Sequence, residues 1–315
     1  MSKIAITDYF SKAVEEAEVL GELVGTEVGE DTEVLLVWHE HINEDYVKQC
    51  PNLRAVQRYG VGYDTLDIDY FKSKGIVACN NPDYGTDEVS DTAIAMIMNI
   101  ARGISLYDAS AKGFTDTWQE NVNPSLRRNS ESVLGVIGAG RIGGSVLLKA
   151  KALRFKTVFF DPYKERGHEK MLGAQRVESI EELLALSDIV SLHCPLNKET
   201  MGLVDRHFLS SMKKGASLVN TARGGLLADT DSIYDALQSG QLAQCALDVL
   251  VNEPPKDEKL ITAWRNQEDF LKGRLLINPH TSYYSQEAYK EIRTNAAKNA
   301  LRLYHGEVPF NKLWK

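Results

Sequence analysis

The chain has 315 residues, 43% of them hydrophobic and 25% charged, which is ordinary for a globular protein and enough for two domains with separate cores. Its formal net charge of −8 argues against nucleic acid or an anionic membrane surface as a main partner. The longest apolar run, Ala93–Met98, is too short to span a bilayer. With no signal-like start and four scattered cysteines, we expect a cytoplasmic protein with buried free thiols.

The N-terminal part alternates strand-like and helical patterns, as a small doubly wound α/β domain does. The predicted strands are Lys3–Thr7, Val34–Trp38, Ala55–Tyr59 and Ile76–Cys79, and the predicted helices are Ser11–Leu23, Asn43–Cys50 and Ile68–Lys74. A longer helix is predicted from Thr86 to Gly103, followed by a polar surface connection at Asn121–Asn129.

A glycine-rich turn then joins a predicted strand to a predicted helix. In the sequence Gly138-Ala139-Gly140-Arg141-Ile142-Gly143, the first glycine permits a tight turn and the second lets the backbone approach a pyrophosphate. The third lets the helix pack closely on the strand. The free amides of Arg141 and Ile142, at the positive end of the helix dipole, suit a phosphate group. The pattern predicts a dinucleotide-binding βαβ unit.

An acidic residue ends the second strand of this unit. Asp161 follows Gly143 at the distance typical of such units, where a carboxylate accepts the ribose hydroxyls and repels a 2′-phosphate. NAD (NADH) is therefore the expected cofactor, and NADP is less favoured, although Lys164 and Arg166 weaken that preference. A plain strand–helix turn explains glycines alone, but it does not explain the acid at this position.

The βα alternation resumes after Asp161. Predicted strands are Ile189–His193, Ser217–Asn220, Cys245–Leu247 and Leu275–Asn278, and predicted helices are Ile180–Leu186, Asp231–Ser239 and Gln286–Tyr304. Residues 254–273 are polar and charge-rich, so we expect them on the surface, where a short helix is one conformation that fits the pattern.

Three polar groups follow predicted strands, where ligands of doubly wound sheets bind. His280 offers an acid or base that works near neutral pH, and Glu253 would orient the imidazole and favour its charged form. Arg223 offers a rigid fork of donors for a carboxylate and the adjacent carbonyl oxygen. Each group alone has an ordinary explanation as a turn, loop or surface residue. Their joint placement beside a dinucleotide loop favours hydride transfer to a 2-oxo acid.

The third strand ends in a second glycine-rich turn. The amides of Gly60, Val61 and Gly62 are predicted to hold the same substrate carboxylate, with Arg58 adding positive charge. His39 and His41 flank Glu40, but no third ligand lies at a useful spacing, so no metal site is expected.

These motifs together resemble the D-isomer-specific 2-hydroxyacid dehydrogenases over essentially the whole chain. The matching segments are Gly138–Gly143 with Asp161, His193–Leu196, Asn220–Gly225, Ala246–Val249 with Glu253-Pro254, and Pro279-His280. Three further segments look similar to the branch that contains the C-terminal binding protein corepressors, namely Arg58–Asp64, Asn81–Asp91 and His280–Ser285.

The resemblance implies an α/β fold with two doubly wound parallel-sheet domains. An inserted Rossmann NAD-binding domain would cover residues 102–281, and a discontinuous flavodoxin-like substrate domain would combine residues 1–101 with 282–315. It also implies a homodimer formed largely by the cofactor domains, with a small 2-oxo or 2-hydroxy acid as substrate.

The resemblance also assigns roles to residues. His280 would be the general acid, Glu253 its partner and Arg223 the substrate clamp, while Asp248 would hold the nicotinamide carboxamide and Thr86 would approach the nicotinamide. The other implied cofactor-lining residues are His193, Cys194, Pro195, Asn197, Thr221 and Ala222.

Two features depart from the corepressor branch. The segment between Glu253 and His280 is longer than in that branch, because it contains the polar residues 254–273. Tyr283 stands where the branch carries a pocket tryptophan, so we expect Tyr283 to contact substrate and to alter the preference for bulky 2-oxo acids. The expected activity is an NAD-dependent D-2-hydroxyacid dehydrogenase. The alternatives are an NAD(H)-sensing scaffold with little turnover and a reductase for glyoxylate or hydroxypyruvate.

Overall fold

The computed structural model describes residues 2–8, 12–113, 118, 122–123 and 125–314. The chain divides into two compact units. One consists of Met1–Gly85 with Tyr284–Lys315, and the other of Thr86–Tyr283. Each unit is built around one sheet in which all strands are parallel, which confirms the predicted fold class.

The strands follow in chain order. They are β1 (Ile4–Ile6), β2 (Val24–Gly25), β3 (Val34–Val37), β4 (Ala55–Arg58), β5 (Val77–Cys79), β6 (Val133–Ile137), β7 (Lys156–Phe160), β8 (Gln175–Arg176), β9 (Ile189–Leu192), β10 (Ala216–Asn220), β11 (Leu242–Leu247) and β12 (Leu275–Ile277). The helices are α1 (Val14–Leu20), α2 (Glu44–Val47), α3 (Ile68–Lys74), α4 (Thr86–Arg102), α5 (Ile104–Ala111), α6 (Arg141–Ala152), α7 (His168–Leu172), α8 (Ile180–Leu186), α9 (Arg206–Ser211), α10 (Thr230–Ser239), α11 (Lys259–Arg265) and α12 (Gln286–His305).

The first unit contains a five-stranded sheet with the order β2-β1-β3-β4-β5. This is the flavodoxin-like order of a doubly wound domain. Its central strands are apolar without alternation, and all four residues of Val34–Val37 are buried. A continuous apolar strand is what a parallel sheet requires when helices cover both of its faces.

A buried ionic cluster joins α1, the end of β4 and α12 in this unit. Arg293, 4% exposed, donates hydrogen bonds to the two carboxylate oxygens of the fully buried Glu16 at 3.0 and 2.6 Å. The hydroxyl of Tyr59 donates to the same Glu16 at 2.9 Å, and Arg293 also pairs with Glu15 at 2.5 Å. Since Gly60 follows Tyr59 directly, this cluster anchors the start of the second glycine-rich turn.

The second unit contains a seven-stranded sheet with the order β12-β11-β10-β9-β6-β7-β8. Numbered from β6, the first six strands follow the Rossmann order 3-2-1-4-5-6, and β12 adds a seventh. The strand order reverses between β6 and β9, so the carboxyl ends of these two strands mark the crevice in which ligands of such sheets bind.

The long helix α4 belongs to the second unit. Its buried residues Ala93, Met96, Ile97 and Ile100 share a hydrophobic cluster with residues of α6. The structure divides the chain after Gly85, at the start of α4, whereas the predicted division lies near the end of this helix, after residue 101. The reason is that the apolar face of α4 packs on the glycine-loop helix.

Several short elements were not predicted. They are β2, β8, α5, α7 and α9, and most are too short to carry a clear hydrophobic period. The short helix expected within residues 254–273 is α11, but it buries Leu260, Ile261 and Ala263 in the core, so this segment does not lie entirely on the surface. The predicted start of the first helix at Ser11 and part of the predicted connection at 121–129 fall outside the described residues.

In the described part of the chain, no helix is both long and apolar enough to cross a membrane. The four cysteines, Cys50, Cys79, Cys194 and Cys245, are buried and unpaired, as predicted. Burial raises the pKa of each thiol, to about 12 for Cys245 and to about 11 for the other three. These thiols are therefore protonated at neutral pH and behave as small apolar side chains.

Removing the buried guanidinium by Arg293→Ala should lower the free energy of unfolding by about 3–5 kcal/mol, because it leaves the buried Glu16 carboxylate without its cation. Urea denaturation measures this loss. Arg302→Ala is the matched control, since Arg302 pairs with the more exposed Glu307 and should cost at most about 1 kcal/mol. Equal losses in the two variants would contradict the role given to the cluster.

Candidate active site

The glycine-rich turn follows β6 and closes on the loop after β9. Gly138 has a φ of +91°, and a Cβ atom there would lie 2.6 Å from the backbone nitrogen of Cys194. A Cβ on Gly143 would lie 1.9 Å from the carbonyl oxygen of Gly138, so helix and turn are in direct backbone contact. Contacts within the protein therefore require glycine at both positions.

Gly140 differs from these two glycines. Its φ of −75° is accessible to any residue, and a Cβ atom there would meet no protein atom within 4 Å. No contact within the described structure requires glycine at this position. A ligand that lies against the backbone of Gly140 would require it, because the ligand would occupy the space of a Cβ atom. Helix α6 begins directly afterwards at Arg141, with no acidic residue in its first turn, so its first amides are available to an anion.

Asp161 lies beside this turn, immediately after β7. Its carboxylate, in a residue only 9% exposed, accepts hydrogen bonds from the amides of Ala139 at 2.9 Å and Tyr163 at 3.0 Å. Each carboxylate oxygen thus accepts one amide and retains capacity for a further donor. The Tyr163 hydroxyl in turn bonds Glu199, which links this strand end to the loop after β9.

A histidine that the sequence analysis did not connect to the site holds the same turn from another side. The Nε2 atom of His168 lies 2.9 Å from the carbonyl oxygen of Ala139, and its ring packs edge-on against Phe159. No motif spacing predicts this contact, because the two residues lie on different elements that are far apart in the chain.

Several polar atoms around the predicted cofactor site are buried without a protein partner. In the residues that the structure describes, this holds for Oγ1 of Thr86, Oγ1 of Thr221 and Nδ1 of His193. Buried polar atoms are normally hydrogen-bonded, so each of these atoms fits a site completed by a ligand. All three residues were predicted to line the cofactor, and together with Gly140 they fit a bound dinucleotide.

His193 is neutral at physiological pH. The residue as a whole is half-buried, but its Nδ1 atom is fully enclosed. Its Nε2 atom lies 2.8 Å from the hydroxyl of Ser191. Burial lowers the pKa of His193 to about 3. The ring therefore serves as a neutral hydrogen-bonding group in this unit.

The loop after β9 continues from His193 through Cys194, Pro195 and Asn197. The side-chain oxygen of Asn197 accepts the amides of Glu199 at 2.9 Å and Thr200 at 3.1 Å. The Thr200 hydroxyl donates to the carbonyl of Pro195 at 2.6 Å. These local bonds hold the exposed part of the loop in one conformation.

The turn after β10 carries the predicted substrate clamp. The side chain of Asn220 accepts the amide of Ala222 at 3.0 Å and donates to the carbonyl of Arg223 at 2.9 Å. A Cβ on Gly224 would lie 1.7 Å from the carbonyl oxygen of Leu250, so the loops after β10 and β11 touch. Arg223 is thereby held next to the loop that carries Glu253.

The three predicted catalytic residues lie in one cluster. The Nδ1 atom of His280 is 2.7 Å from Oε2 of Glu253, whose Oε1 accepts the amide of Leu250 at 2.8 Å. Burial raises the pKa of Glu253, but the hydrogen bond and charge of His280, the Leu250 amide and the charge of Arg223 together bring it below its usual value. Glu253 is therefore an anion held between two basic side chains.

The turn that presents His280 is anchored by Asp248. The amide of His280 donates to the carbonyl of Asp248 at 2.8 Å, and the buried Asp248 carboxylate accepts the amides of Thr281 at 3.0 Å and Ser282 at 3.2 Å. His280 itself has a φ of +56°, which is unusual for a residue other than glycine. The predicted contact of Asp248 with the nicotinamide carboxamide stays a prediction.

The second glycine-rich turn, in the first unit, is also braced. The carbonyl of Gly60 accepts the amide of Asn81 at 3.2 Å, and that of Val61 accepts the side chain of Asn80 at 2.7 Å. Arg58 donates to the carbonyl of Val37 at 3.4 Å. Tyr283 belongs to the second unit and is half-buried. The predicted substrate contacts stay predictions for all five residues, Arg58, Gly60, Val61, Gly62 and Tyr283.

The described residues contain no group of three or more histidine, cysteine or acidic side chains that would hold a metal ion. His39 instead lies 3.4 Å from the carboxylate of Asp8. The amides of Trp38 and His39 also donate to that carboxylate. Burial raises the pKa of Asp8, but these hydrogen bonds bring it far below its usual value.

The fold and the glycine turn define a two-domain α/β protein with a dinucleotide-binding unit, and comparison with known proteins identifies the family. The profile of the D-isomer specific 2-hydroxyacid dehydrogenase NAD-binding domain matches residues 94–282. The chain belongs to the D-isomer specific 2-hydroxyacid dehydrogenase family, whose members are oxidoreductases.

Individual relatives agree with this assignment. A D-3-phosphoglycerate dehydrogenase of Methanocaldococcus jannaschii is 32% identical over 322 residues, covering 99% of this chain and 59% of the relative. C-terminal-binding protein 1 of Caenorhabditis elegans is 30% identical over 284 residues, covering 87% of this chain and 37% of the relative. The chain thus spans less than two thirds of the length of each of these curated relatives.

Among solved structures, the D-lactate dehydrogenase of Aquifex aeolicus, complexed with NAD and lactic acid, is similar with a TM-score of 0.84 and 29% identity. The match covers 96% of each chain. A protein of Thermus thermophilus has a TM-score of 0.81 and 26% identity over 99% of each chain.

Adding a methyl group at Gly140 should weaken NADH binding about tenfold or more while changing the free energy of unfolding by no more than about 1 kcal/mol. The reason is that a Cβ there enters space that only a ligand would fill. Fluorescence titration with NADH and urea denaturation measure the two effects.

Gly143→Ala is the matched control, because its Cβ would collide with the carbonyl of Gly138 and should destabilise the fold itself. If Gly140→Ala bound NADH as tightly as the unaltered protein, the pyrophosphate assignment would be wrong.

The neutral state of His193 predicts a pH effect on stability. Its pKa in the folded protein, about 3, is below the ordinary value of 6.5, so between these values only the unfolded chain binds the proton, and stability falls as the pH falls. From pH 7 to pH 5 the unaltered protein should lose about 2 kcal/mol more than His193→Gln. Urea denaturation at both pH values tests this. Equal losses would show that His193 does not titrate in this way.

Proposed function

We propose that this protein is an NAD-dependent oxidoreductase that interconverts a D-2-hydroxy acid and the corresponding 2-oxo acid. The observation that carries the proposal is the 2.7 Å hydrogen bond between Glu253 and His280, with Arg223 charged beside it, in the unit that matches the NAD-binding family profile. A general acid, its orienting anion and a carboxylate-binding cation are the groups that reduction of a 2-oxo acid requires.

Residues of the second unit would hold the dinucleotide. Gly138, Gly140 and the first amides of α6 would receive the pyrophosphate, and Asp161 would accept the ribose hydroxyls. Thr221, Thr86 and the neutral His193 offer unpartnered polar atoms to the rest of the cofactor. NADH supplies the hydride when it is bound. The Asp161 carboxylate would favour NAD over NADP by repelling a 2′-phosphate.

Side chains of the protein would bind the substrate, polarise its carbonyl group and transfer the proton. The guanidinium of Arg223 binds the substrate carboxylate and polarises the carbonyl oxygen, which makes C2 electrophilic. His280 uses Nδ1 to bond Glu253, so Nε2 is the nitrogen that passes a proton to the oxygen as it becomes an alkoxide. In the reverse direction the same nitrogen takes the proton from the hydroxyl group.

Glu253 acts through His280 rather than on the substrate. Because its pKa is held below the usual value, it stays ionised and stabilises the imidazolium over the pH range in which the enzyme would work. Its second oxygen is fixed by the Leu250 amide, so the imidazole can occupy only a narrow range of orientations. Glu253 is therefore a positioning residue.

The similar proteins suggest a small substrate. The Aquifex aeolicus structure contains lactic acid, and the Methanocaldococcus jannaschii relative is a D-3-phosphoglycerate dehydrogenase. We propose that the substrate is a small D-2-hydroxy acid or its 2-oxo acid, and that glyoxylate and hydroxypyruvate are among the candidate 2-oxo acids. We also propose that the protein acts as a cytoplasmic homodimer. Sedimentation velocity of the purified chain tests the dimer.

Replacing His280 by alanine should lower the rate of 2-oxo acid reduction about 10²–10⁴-fold, since the general acid is lost, and leave NADH affinity within about twofold. Stopped-flow absorbance of NADH follows the reduction, and fluorescence titration follows binding. Glu253→Gln keeps a hydrogen-bonding side chain but removes the charge, so it should retain more activity than His280→Ala. Near-normal turnover in His280→Ala would refute the assignment of the acid.

The similarity to C-terminal-binding protein 1 supports a second candidate, an NAD(H)-sensing scaffold. A panel of 2-oxo acids assayed with NADH and with NADPH, beside size-exclusion runs with and without NAD(H), separates the two. Turnover of at least one acid favours the enzyme. A panel without turnover, together with NADH-driven assembly, favours the scaffold.

A further inference from the structure

A basic cavity lies in the second unit at the far end of α4 from Thr86. It has a volume of about 570 Å³, and Arg102, Arg127, Arg128 and Arg154 line it together with Asn129 and Ser130. Helix α4 has 17 residues, so its two ends are about 24 Å apart. The residues that line the cavity include none of the candidate active site, so the cavity is distinct from the cluster of Arg223, Glu253 and His280.

The charge of this cavity is opposite to that of the protein. Its four arginines come from three segments, at the end of α4, before β6 and after α6, in a chain with a net charge of −8. None of the described residues that line it is acidic. Arg127 reaches Asp188 at 3.6 Å, whereas the described residues offer Arg102, Arg128 and Arg154 no acidic partner within 4.0 Å.

Arg154 also breaks a local rule of helix ends. The amide of Phe155 donates to the carbonyl of Ala150 at 3.1 Å, and that of Arg154 donates to Lys151 at 2.9 Å, so α6 ends in a Schellman motif. The residue in the left-handed conformation of this motif is usually glycine, but here it is Arg154, with a φ of +71°. The negative C-terminal end of the helix dipole favours a nearby cation such as Arg154. That attraction does not explain why the cation is placed at the position with a strained backbone.

We propose that this cavity binds a small anion that carries two or more phosphate or carboxylate groups. The guanidinium groups provide paired donors for such oxygens, and the volume lies in the range of small-molecule sites. The bound anion offsets the positive charge of Arg102, Arg128 and Arg154, to which the described residues offer no acidic partner. The proposal goes beyond the proposed oxidoreductase activity and does not depend on it.

Isothermal titration calorimetry with inorganic tripolyphosphate tests the site on the full chain. Arg102→Gln, Arg128→Gln and Arg154→Gly should each weaken binding about tenfold or more. Arg154→Gly replaces a strained residue by glycine, so its melting temperature should stay within a few degrees of that of the unaltered protein. Arg265→Gln is the control, because Arg265 pairs with the exposed Asp257 outside the cavity and its loss should leave the affinity unchanged.

The glycine turn is a second place where tripolyphosphate could bind, and Gly140→Ala separates the two. Binding that survives Gly140→Ala and falls in Arg154→Gly supports the cavity. Binding that falls only in Gly140→Ala, or that is absent in the unaltered protein, overturns the proposal. The proposal is also overturned if the arginine variants change the oligomeric state in size-exclusion runs without changing the affinity, since the cavity would then belong to a contact between chains.

Discussion

The site depends on one constraint, the backbone contact between the turn after β6 and the loop after β9. Gly138 has no room for a Cβ atom beside Cys194, and Gly143 has none beside the carbonyl of Gly138. The strand order reverses between β6 and β9. In doubly wound sheets the loops that follow the two strands at such a reversal run in opposite directions, and ligands bind in the crevice between them. The turn is held further by Asp161 and His168, which bond the amide and the carbonyl of Ala139.

The candidate catalytic residues lie at the same edge of the sheet because the strands that precede them are parallel. Arg223, Glu253 and His280 follow β10, β11 and β12, three neighbouring strands, and this arrangement brings together residues that lie far apart in the chain. The contact of Gly224 with Leu250 and the bonds from Asp248 to the turn of His280 then fix the loops. The anionic Glu253 results from this placement, because its neighbours offset the cost of its burial.

The sequence alone predicted much of the fold and of the site, since glycine turns, apolar strands and polar residues at strand ends are local patterns. Other features depend on contacts between distant segments and have no local signal. Glu16 and Arg293 look like exposed helix residues in the sequence, yet they form a buried ion pair. The bond of His168 to the glycine turn and the left-handed conformation of Arg154 have no local signal either, and the charged residues around α11 concealed that its apolar face is buried in the core.

The central claim is that the second unit transfers a hydride from NADH to C2 of a 2-oxo acid. The most direct test uses NADH deuterated at both C4 positions of the nicotinamide, with mass spectrometry and chiral chromatography of the product. The account predicts a 2-hydroxy acid of D configuration with one deuterium at C2. NADH that stays unoxidised across a panel of 2-oxo acids, or a product that carries no deuterium, would contradict it.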